Sequence, residues 1–404
     1  MRLRIKDICD YVSRGTTPDY VDEGANKVMN QATFSKGWID ESNIRYTSKA
    51  NKGARIMKGD LLMASTGGGV LGKVFFFDDD DSFYADSHVT IMRNSKGANL
   101  MKYLYYYFYL RYDEINATMV KGSTNQTELQ RNYLLSYELD VPTLADQQRM
   151  VTYLDTKLSE IDHQVSLLTS KRDAYLRLKK SIINHAVTRG LNPNVKMKDS
   201  GIEWIGEVPE HWEVKRMKDI FFERKELSLT GEEDLLSVSE FYGVARRKDK
   251  MNSDEEFESR ADSLVGYKIC KAHDLVINIM LAWKTGLGIS DNDGIVSPAY
   301  AVYEGRNIAS HFYHYLLRSG MYVKEFKRHS KGIIDSRLRL YNDRFNNISA
   351  IYPPLPEQRA IATYPDDKCA KIDIIVSNLD KQISRYADLK RSLIDEVITG
   401  KRAV

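Results

Sequence analysis

The sequence predicts an α+β protein: two tandem, pseudo-twofold-related α/β globules separated by a long antiparallel two-helix coiled coil. Three observations predict it. Residues 142–188 and 353–399 align without a gap at an offset of 211, and 18 of the 47 paired positions are identical, against about 3 expected from background residue usage. In both stretches seam residues recur at alternating steps of three and four, the spacing of a heptad helix. Ahead of each stretch lie short apolar runs punctuated by glycine, which read as strands.

The elements follow in chain order. In residues 1–140 the runs Val28-Met29, Arg55-Ile56-Met57, Asp60-Leu61-Leu62-Met63, Lys73 to Phe77 and Val89 to Met92 predict strands, and Leu100 to Tyr112 turns to helical spacing. Residues 141–190 form the first long helix, with Leu158, Ile161, Val165, Leu168 and Ile182 on its seam. A linker at 191–212 leads to the second globule, 213–351, with strands near Leu275 to Met280 and Ile295 to Val302 and a helix from about Ile308 to Arg318. Residues 352–404 carry the second long helix, its seam including Ile372, Val376, Leu379, Ile383 and Leu393. A helix of about 43 residues spans roughly 65 Å, too long to bury in one small domain, so each helix needs a partner along its length. Pro365 stands where the first copy has Leu154, and the missing N–H predicts a kink or a late start there. The weaker front halves echo too, with Lys6-Asp7-Ile8 recurring as Lys218-Asp219-Ile220 and Asp60-Leu61 as Asp274-Leu275.

Composition narrows the class. The 404 residues are 42% hydrophobic and 28% charged, as in ordinary globular proteins. No run of about 20 apolar residues occurs, and Met1-Arg2-Leu3-Arg4 leads into no apolar signal region, so neither a membrane association nor secretion is expected and the expected location is the cytoplasm. Cys9, Cys270 and Cys369 are far apart and odd in number, which predicts reduced thiols rather than a disulfide frame. Basic and acidic residues balance in both globules, at 18 and 18 for 1–140 and 24 and 25 for 191–350, so any nucleic-acid contact must rest on local clusters. No Gly-x-x-x-x-Gly-Lys-Ser/Thr loop is present, and the single Pro-Pro, Pro353-Pro354, follows Tyr352 rather than an Asx residue. His311 and His314 have no accompanying ligand motif, so no metal site is expected. The acid run Asp78 to Asp81 reads as a solvated loop.

The segment Asp199-Ser200-Gly201-Ile202-Glu203-Trp204-Ile205-Gly206-Glu207-Val208-Pro209-Glu210-His211-Trp212 makes a resemblance specific. With Pro353-Pro354-Leu355-Pro356-Glu357-Gln358-Arg359 and Gly59-Asp60-Leu61-Leu62 it is similar to the specificity subunit of a type I restriction-modification system. The similarity in organisation covers essentially the whole chain; close matches are confined to the helical stretches and the linker. It implies that the two globules are target recognition domains, each reading one half of an asymmetric, bipartite DNA sequence, with the helical pair setting the unread spacer. It also implies the partners: double-stranded DNA, two methyltransferase subunits using S-adenosylmethionine, and restriction (motor-nuclease) subunits using ATP and Mg. This chain would then bind no cofactor and catalyse nothing. The helices would dock the methyltransferases, and the basic run Lys171, Arg172, Arg177, Lys179 and Lys180 serves a partner, DNA or merely a solvated face. The rival reading is a free-standing DNA-binding regulatory or scaffold protein.

Candidate DNA contacts come from polar loops beside glycine. Ser65, Thr66, Gly67, Gly68 and Lys73 combine small residues, which let backbone amides approach phosphate, with a cation; a tight turn explains them equally well. Asn30 and Gln31 have the amides that pair with adenine edges, and such residues also cap turns. Lys121 with Ser123, Thr124, Asn125 and Gln126 follows the first globule's helix, and Lys331 with Arg337 and Arg339 holds the corresponding place in the second. Arg246, Arg247, Lys248 and Lys250 form the densest basic patch, and Trp283-Lys284 sits after a strand. Arginine bidentate to guanine is the commonest base-specific contact, so the four arginines among these carry the sharpest expectation.

Overall fold

Residues 1–49, 51–95, 97–121, 127–250 and 263–404 are described by the computed structural model. They divide into two compact units, residues 1–169 with 381–404 and residues 170–380. Each long helix therefore gives one part of its length to each unit.

Both units are organised around the same four-stranded antiparallel sheet. In the first unit the order is Tyr11–Arg14, Val89–Arg93, Leu61–Ala64, Val74–Phe76. In the second it is Phe221–Glu223, Tyr300–Gly305, Leu275–Asn278, Leu287–Ile289. The central strands are apolar on both faces, with Leu61 to Ala64 and Leu275 to Ile277 all buried, because a helix covers one face and further strands cover the other. The covering helices are Ala98–Tyr109 and Ser310–Leu317. Ile295 to Val302, predicted as one strand, is two, Gly294–Val296 and Tyr300–Gly305, separated by a turn closed by the Tyr300 N–H on the Ser297 carbonyl.

The entry to each unit repeats in atomic detail. Strand Arg2–Arg4 pairs with Glu138–Asp140, and Glu213–Arg216 with Ser349–Tyr352. The next short helix is capped in both copies by an aspartate three residues on, Asp7 accepting from the Arg4 N–H at 3.2 Å and Asp219 from the Arg216 N–H at 3.0 Å. The exits agree as well: Gln147 donates to the Pro142 carbonyl and Gln358 to the Pro353 carbonyl, each at 2.8 Å.

The second layer recurs, with fewer strand pairs among the described residues. In the first unit it is a five-stranded sheet in which Asn26–Met29 and Phe83–Ala85 run parallel. In the second, Gly243–Arg246 pairs with Leu236–Ser239 and Lys268–Cys270 with Gly294–Val296, and a parallel bridge between Leu235 and Ile295 joins the two pairs as the parallel strands do in the first unit. The segment expected as a linker is also structured. Met197–Asp199 pairs with Glu207–Pro209, and Val208 and Trp212 are buried in the second unit's core. The Trp212 indole N–H donates to Glu357 at 3.0 Å, and His211 bonds the same oxygen at 2.6 Å. All three cysteines are buried and outside any disulfide, and burial pushes the Cys9 and Cys270 thiols up to about 12.

The long helices span Leu144–Arg189 and Leu355–Ile398. Within each unit the two helical segments run antiparallel. In the first, Lys390 meets Asp162 at 2.8 Å and Arg402 meets the Tyr153 hydroxyl at 3.3 Å; in the second, Lys179 meets Asp373 at 2.7 Å and Arg172 meets Asp380 at 3.5 Å. Of the seam residues, Leu158, Ile161, Ile372, Leu379 and Leu393 are buried, while Val165, Leu168, Ile182, Val376 and Ile383 are partly covered. The expected late start at Pro365 is not observed: the helix begins ten residues earlier, at Leu355, and continues through the proline. The ring is buried, and the loss of one N–H to the Ile361 carbonyl is offset by continued packing of Ile361, Ala362 and Cys369.

Candidate nucleic-acid interface

Two loops meet in the first unit. The turn after strand Leu61–Ala64 runs through Ser65 to Gly69, and the segment after helix Tyr112–Thr118 forms the pair Val120–Lys121 with Glu128–Leu129. They are joined by the Leu129 N–H on the Ser65 carbonyl at 2.9 Å and by a Thr66–Glu128 bridge. Gly67 and Gly69 have φ of +102° and +77°, conformations that glycine reaches without strain. A Cβ at Gly68 or Gly69 would meet no atom within 4 Å, so backbone there is open to a ligand. Around this turn Thr66 bonds His88 at 2.6 Å, and Arg14 reaches Glu128 at 3.2 Å. Asp86 beneath it accepts from the His88 N–H at 2.8 Å, and burial lifts its carboxyl above the usual range.

The second unit assembles the same two loops and adds a third. Leu340 donates to the Ile279 carbonyl at 2.9 Å, the counterpart of the Leu129 to Ser65 bond. Lys331 and Arg339 exchange two 2.9 Å backbone bonds, as Lys121 pairs with Glu128 in the first unit. Helix Gly320–His329 packs on the turn Ala282–Lys284, placing the Lys327 ammonium 4.9 Å from the Trp283 ring centre and 3.0 Å from Asp335. Arg318 binds the third loop. Its guanidinium donates to the carbonyls of Thr285, Leu287, Glu240 and Phe241, at 2.6 to 3.1 Å. Phe241, at the tip of the hairpin so held, is 85% exposed. Lys284, Lys331 and Arg337 are exposed, and Trp283 is half-buried, its N–H taken by the Met280 carbonyl at 3.1 Å.

Several expected contacts are committed elsewhere. Ser65 is buried, and its hydroxyl shares a 2.6 Å bond with Thr90 across the ladder, so it supports the sheet instead of facing solvent. Asn30 caps the helix Gln31–Phe34, its side-chain oxygen accepting from Ala32 at 2.8 Å and Thr33 at 3.1 Å; that leaves no free amide edge of the kind a bidentate adenine contact requires. Gln31 lies against Gly67, at the glycine turn. Lys73 is half-buried and donates to the Ser35 carbonyl at 3.2 Å. Arg246 and Lys248 both pair with Asp234, at 3.2 and 2.7 Å, which offsets much of that patch's charge. Arg247 is exposed, while Arg339 turns back onto the Leu338 carbonyl at 2.8 Å. Ser123, Thr124, Asn125, Gln126 and the Lys250 side chain lie outside the described residues. Asp78 and Asp80 face water near Lys58, at 3.8 and 3.1 Å. Among the described residues no group of histidine, cysteine or carboxylate side chains is arranged to hold a metal ion, and no helix is long and apolar enough to cross a membrane.

Residues 1–167 match the family model of the type I restriction modification DNA specificity domain. The type I restriction enzyme MjaVIII specificity subunit of Methanocaldococcus jannaschii is 21% identical over 329 residues, covering 77% of this chain and 73% of its own length. Residues 1–167 thus carry a type I restriction modification DNA specificity domain. A second specificity subunit of that organism, the putative MjaX protein, is 22% identical over 52% of this chain and 50% of its own length. In fold, the chain is similar to a chain from a solved type I R-M system described for its complex assembly and conformational transition, with a TM-score of 0.69, 13% identity and coverage of 98% and 97%.

The sequence places these loops but does not reveal what binds them together. Lys327 and Arg318 lie on helices where no motif marks them. Only the repeat of Lys-Gly after each unit's helix pointed to the shared loop position.

Proposed function

We propose that this chain selects the DNA sequence on which a type I restriction-modification complex acts, each recognition domain reading one half of a bipartite target. The carrying observation is that both units, matched through one sheet topology, bring the same two loops together, while the residues on those loops differ. Like scaffolds with unlike contact residues are what an asymmetric two-part target requires. The long helices set the unread spacer and dock two methyltransferase subunits, which supply S-adenosylmethionine chemistry. Motor-nuclease subunits supply ATP- and Mg-dependent cleavage. The chain itself contributes no catalytic group, and its domains are residues 1–140 and 213–351.

The test is to express the chain with its methyltransferase subunit and map N6-methyladenine across a host genome by single-molecule sequencing. A two-part motif with a fixed gap is expected. Replacing residues 1–140 with those of a relative should change one half of that motif and leave the other intact. A stable complex that methylates nothing would favour a free-standing binding protein, and a swap altering both halves would refute separate reading.

A further inference from the structure

One large apolar side chain in the second unit has no protein atom covering it. Ile333 is 100% exposed, and its neighbour Ile334 is 53% exposed. A branched aliphatic group fully in water is ordinary on a floppy tip, but this tip is held from every side. Lys331 and Arg339 close its base with two 2.9 Å backbone bonds. The Arg337 N–H returns to the Ile334 carbonyl at 2.9 Å, and the Leu338 N–H to the Asp335 carbonyl at 3.2 Å. Gly332, at φ +154°, lies so close that an added Cβ would stand 2.6 Å from the Arg337 carbonyl oxygen. Leu338 and Leu340 anchor the return strand in the core, and Lys327 ties Asp335 to the neighbouring helix. The loop thus presents an isoleucine whose approach costs little conformational entropy.

Its surroundings identify what it meets. Lys331 and Arg337 are both exposed on the same loop, and Lys284 is exposed on the adjoining turn. The one acid here, Asp335, is already paired with Lys327. Cations bracketing a projecting aliphatic side chain complement a duplex, whose phosphates flank an apolar base stack. Proteins that insert Ile, Leu, Phe or Met between base steps use this combination.

Resting on the specificity reading above, we propose that Ile333 is a wedge that enters the base stack of the half-site read by the second unit, with Lys331 and Arg337 on the flanking phosphates. The insertion partly unstacks one base step. Discrimination then arises from how readily that step opens, in addition to any hydrogen bonds to base edges.

The experiment uses the full chain assembled with its methyltransferase subunits on duplexes carrying the mapped motif. 2-Aminopurine is placed at successive purine positions of both half-sites, except at the methylated adenines and their immediate neighbours, where the methyltransferase itself swings the base out of the stack, and binding is followed in parallel by anisotropy. Fluorescence should rise at one step, in the half-site that survives replacement of residues 1–140. Ile333→Ala should abolish the rise and weaken cognate binding roughly tenfold, while changing non-cognate binding less than about twofold. Lys331→Ala and Arg337→Ala should weaken both kinds of binding and keep the rise. Because Ile333 touches nothing, its variant should melt with the parent. Bound complex with no rise at any position, or a rise that survives Ile333→Ala, would overturn the wedge alone; a complex that binds no duplex would overturn the DNA reading with it.

Discussion

The two units solve one electrostatic problem with arginines from different strands. Asp60 and Asp274 each precede the central strand of their sheet and are almost fully buried. Asp60 is met by Arg93 at 2.6 Å and Asp274 by Arg224 at 2.6 Å. Ladder registers show that these arginines are not equivalent. Met92 and Tyr303 face the same central-strand position, Leu61 and Leu275, so Arg93 corresponds to Glu304. On the neighbouring edge strand Val12 pairs with Met92 and Glu223 with Tyr303, so Arg224 corresponds to Ser13. The carboxylate stayed in place while its cation moved to the adjacent strand. What the fold requires is a positive group at one point in space, and either strand can deliver it.

That comparison can be broken directly. Removing Arg93 or Arg224 leaves a buried carboxylate unpaired, so Arg93→Ala and Arg224→Ala should each cost about 3–5 kcal/mol. Urea denaturation followed by far-ultraviolet circular dichroism would measure it. In the first unit, Ser13→Arg combined with Arg93→Glu rebuilds the second unit's arrangement and should recover at least half of the loss. No recovery would mean that backbone position, and not charge alone, distinguishes the units.

A smaller difference is pH dependence. His314 is half-buried in the second unit, where it accepts the Ile289 N–H at 3.3 Å, and burial lowers it to about 4, with the Arg318 charge adding to the effect. Asp291, near His311, is the carboxylate on that side. A base depressed on folding binds its proton more readily when unfolded, near pH 6.5. Stability is therefore complete above that value and falls as pH drops from 6.5 towards 4, by up to about 3 kcal/mol. The first unit's covering helix, Ala98–Tyr109, contains no histidine. Melting across this range should show a loss that His314→Asn largely removes; an unchanged profile would exclude this residue as its source.

How much of this was legible beforehand depends on whether a feature is local. The sheet strands at Leu61–Ala64 and Val89–Arg93 and the long helices could be read because burial on both faces, or a three-four seam, leaves its pattern in consecutive residues. The arginine exchange could not, since it depends on ladder register. Nor could the burial of Trp212, whose partner Glu357 is 145 residues away. Candidate contacts failed for a related reason. Ser65 and Thr90 satisfy each other across two strands, and a polar residue beside glycine looks the same whether it faces a sheet neighbour or water. Lys327 was missed because nothing in its own segment marks Trp283 and Asp335 as its neighbours.

Asn30 sharpens the distinction between scaffold and reader. If its oxygen matters as a cap, Asn30→Ala should cost about 1 kcal/mol while Asn30→Asp costs only a few tenths. Methylation by the assembled complex should keep its motif with Asn30→Asp. A motif altered at one adenine by that conservative change would instead make Asn30 a base contact.

The smallest effect concerns the feature most faithfully repeated. Asp162 and Asp373 are equivalent under the 211-residue offset, as are Lys179 and Lys390, so the pairs Lys390–Asp162 and Lys179–Asp373 are one interaction made once in each unit with the helices exchanged. All four side chains are 30–60% exposed, and such pairs are typically worth about 0.2–1 kcal/mol. Asp162→Asn and Asp373→Asn should each destabilise by no more than that, by similar amounts, and less in high salt. Equal losses would make the duplication energetic as well as geometric. If Asp373→Asn costs markedly more, the second helix, which must run through Pro365, relies on its ion pair where the first relies on packing.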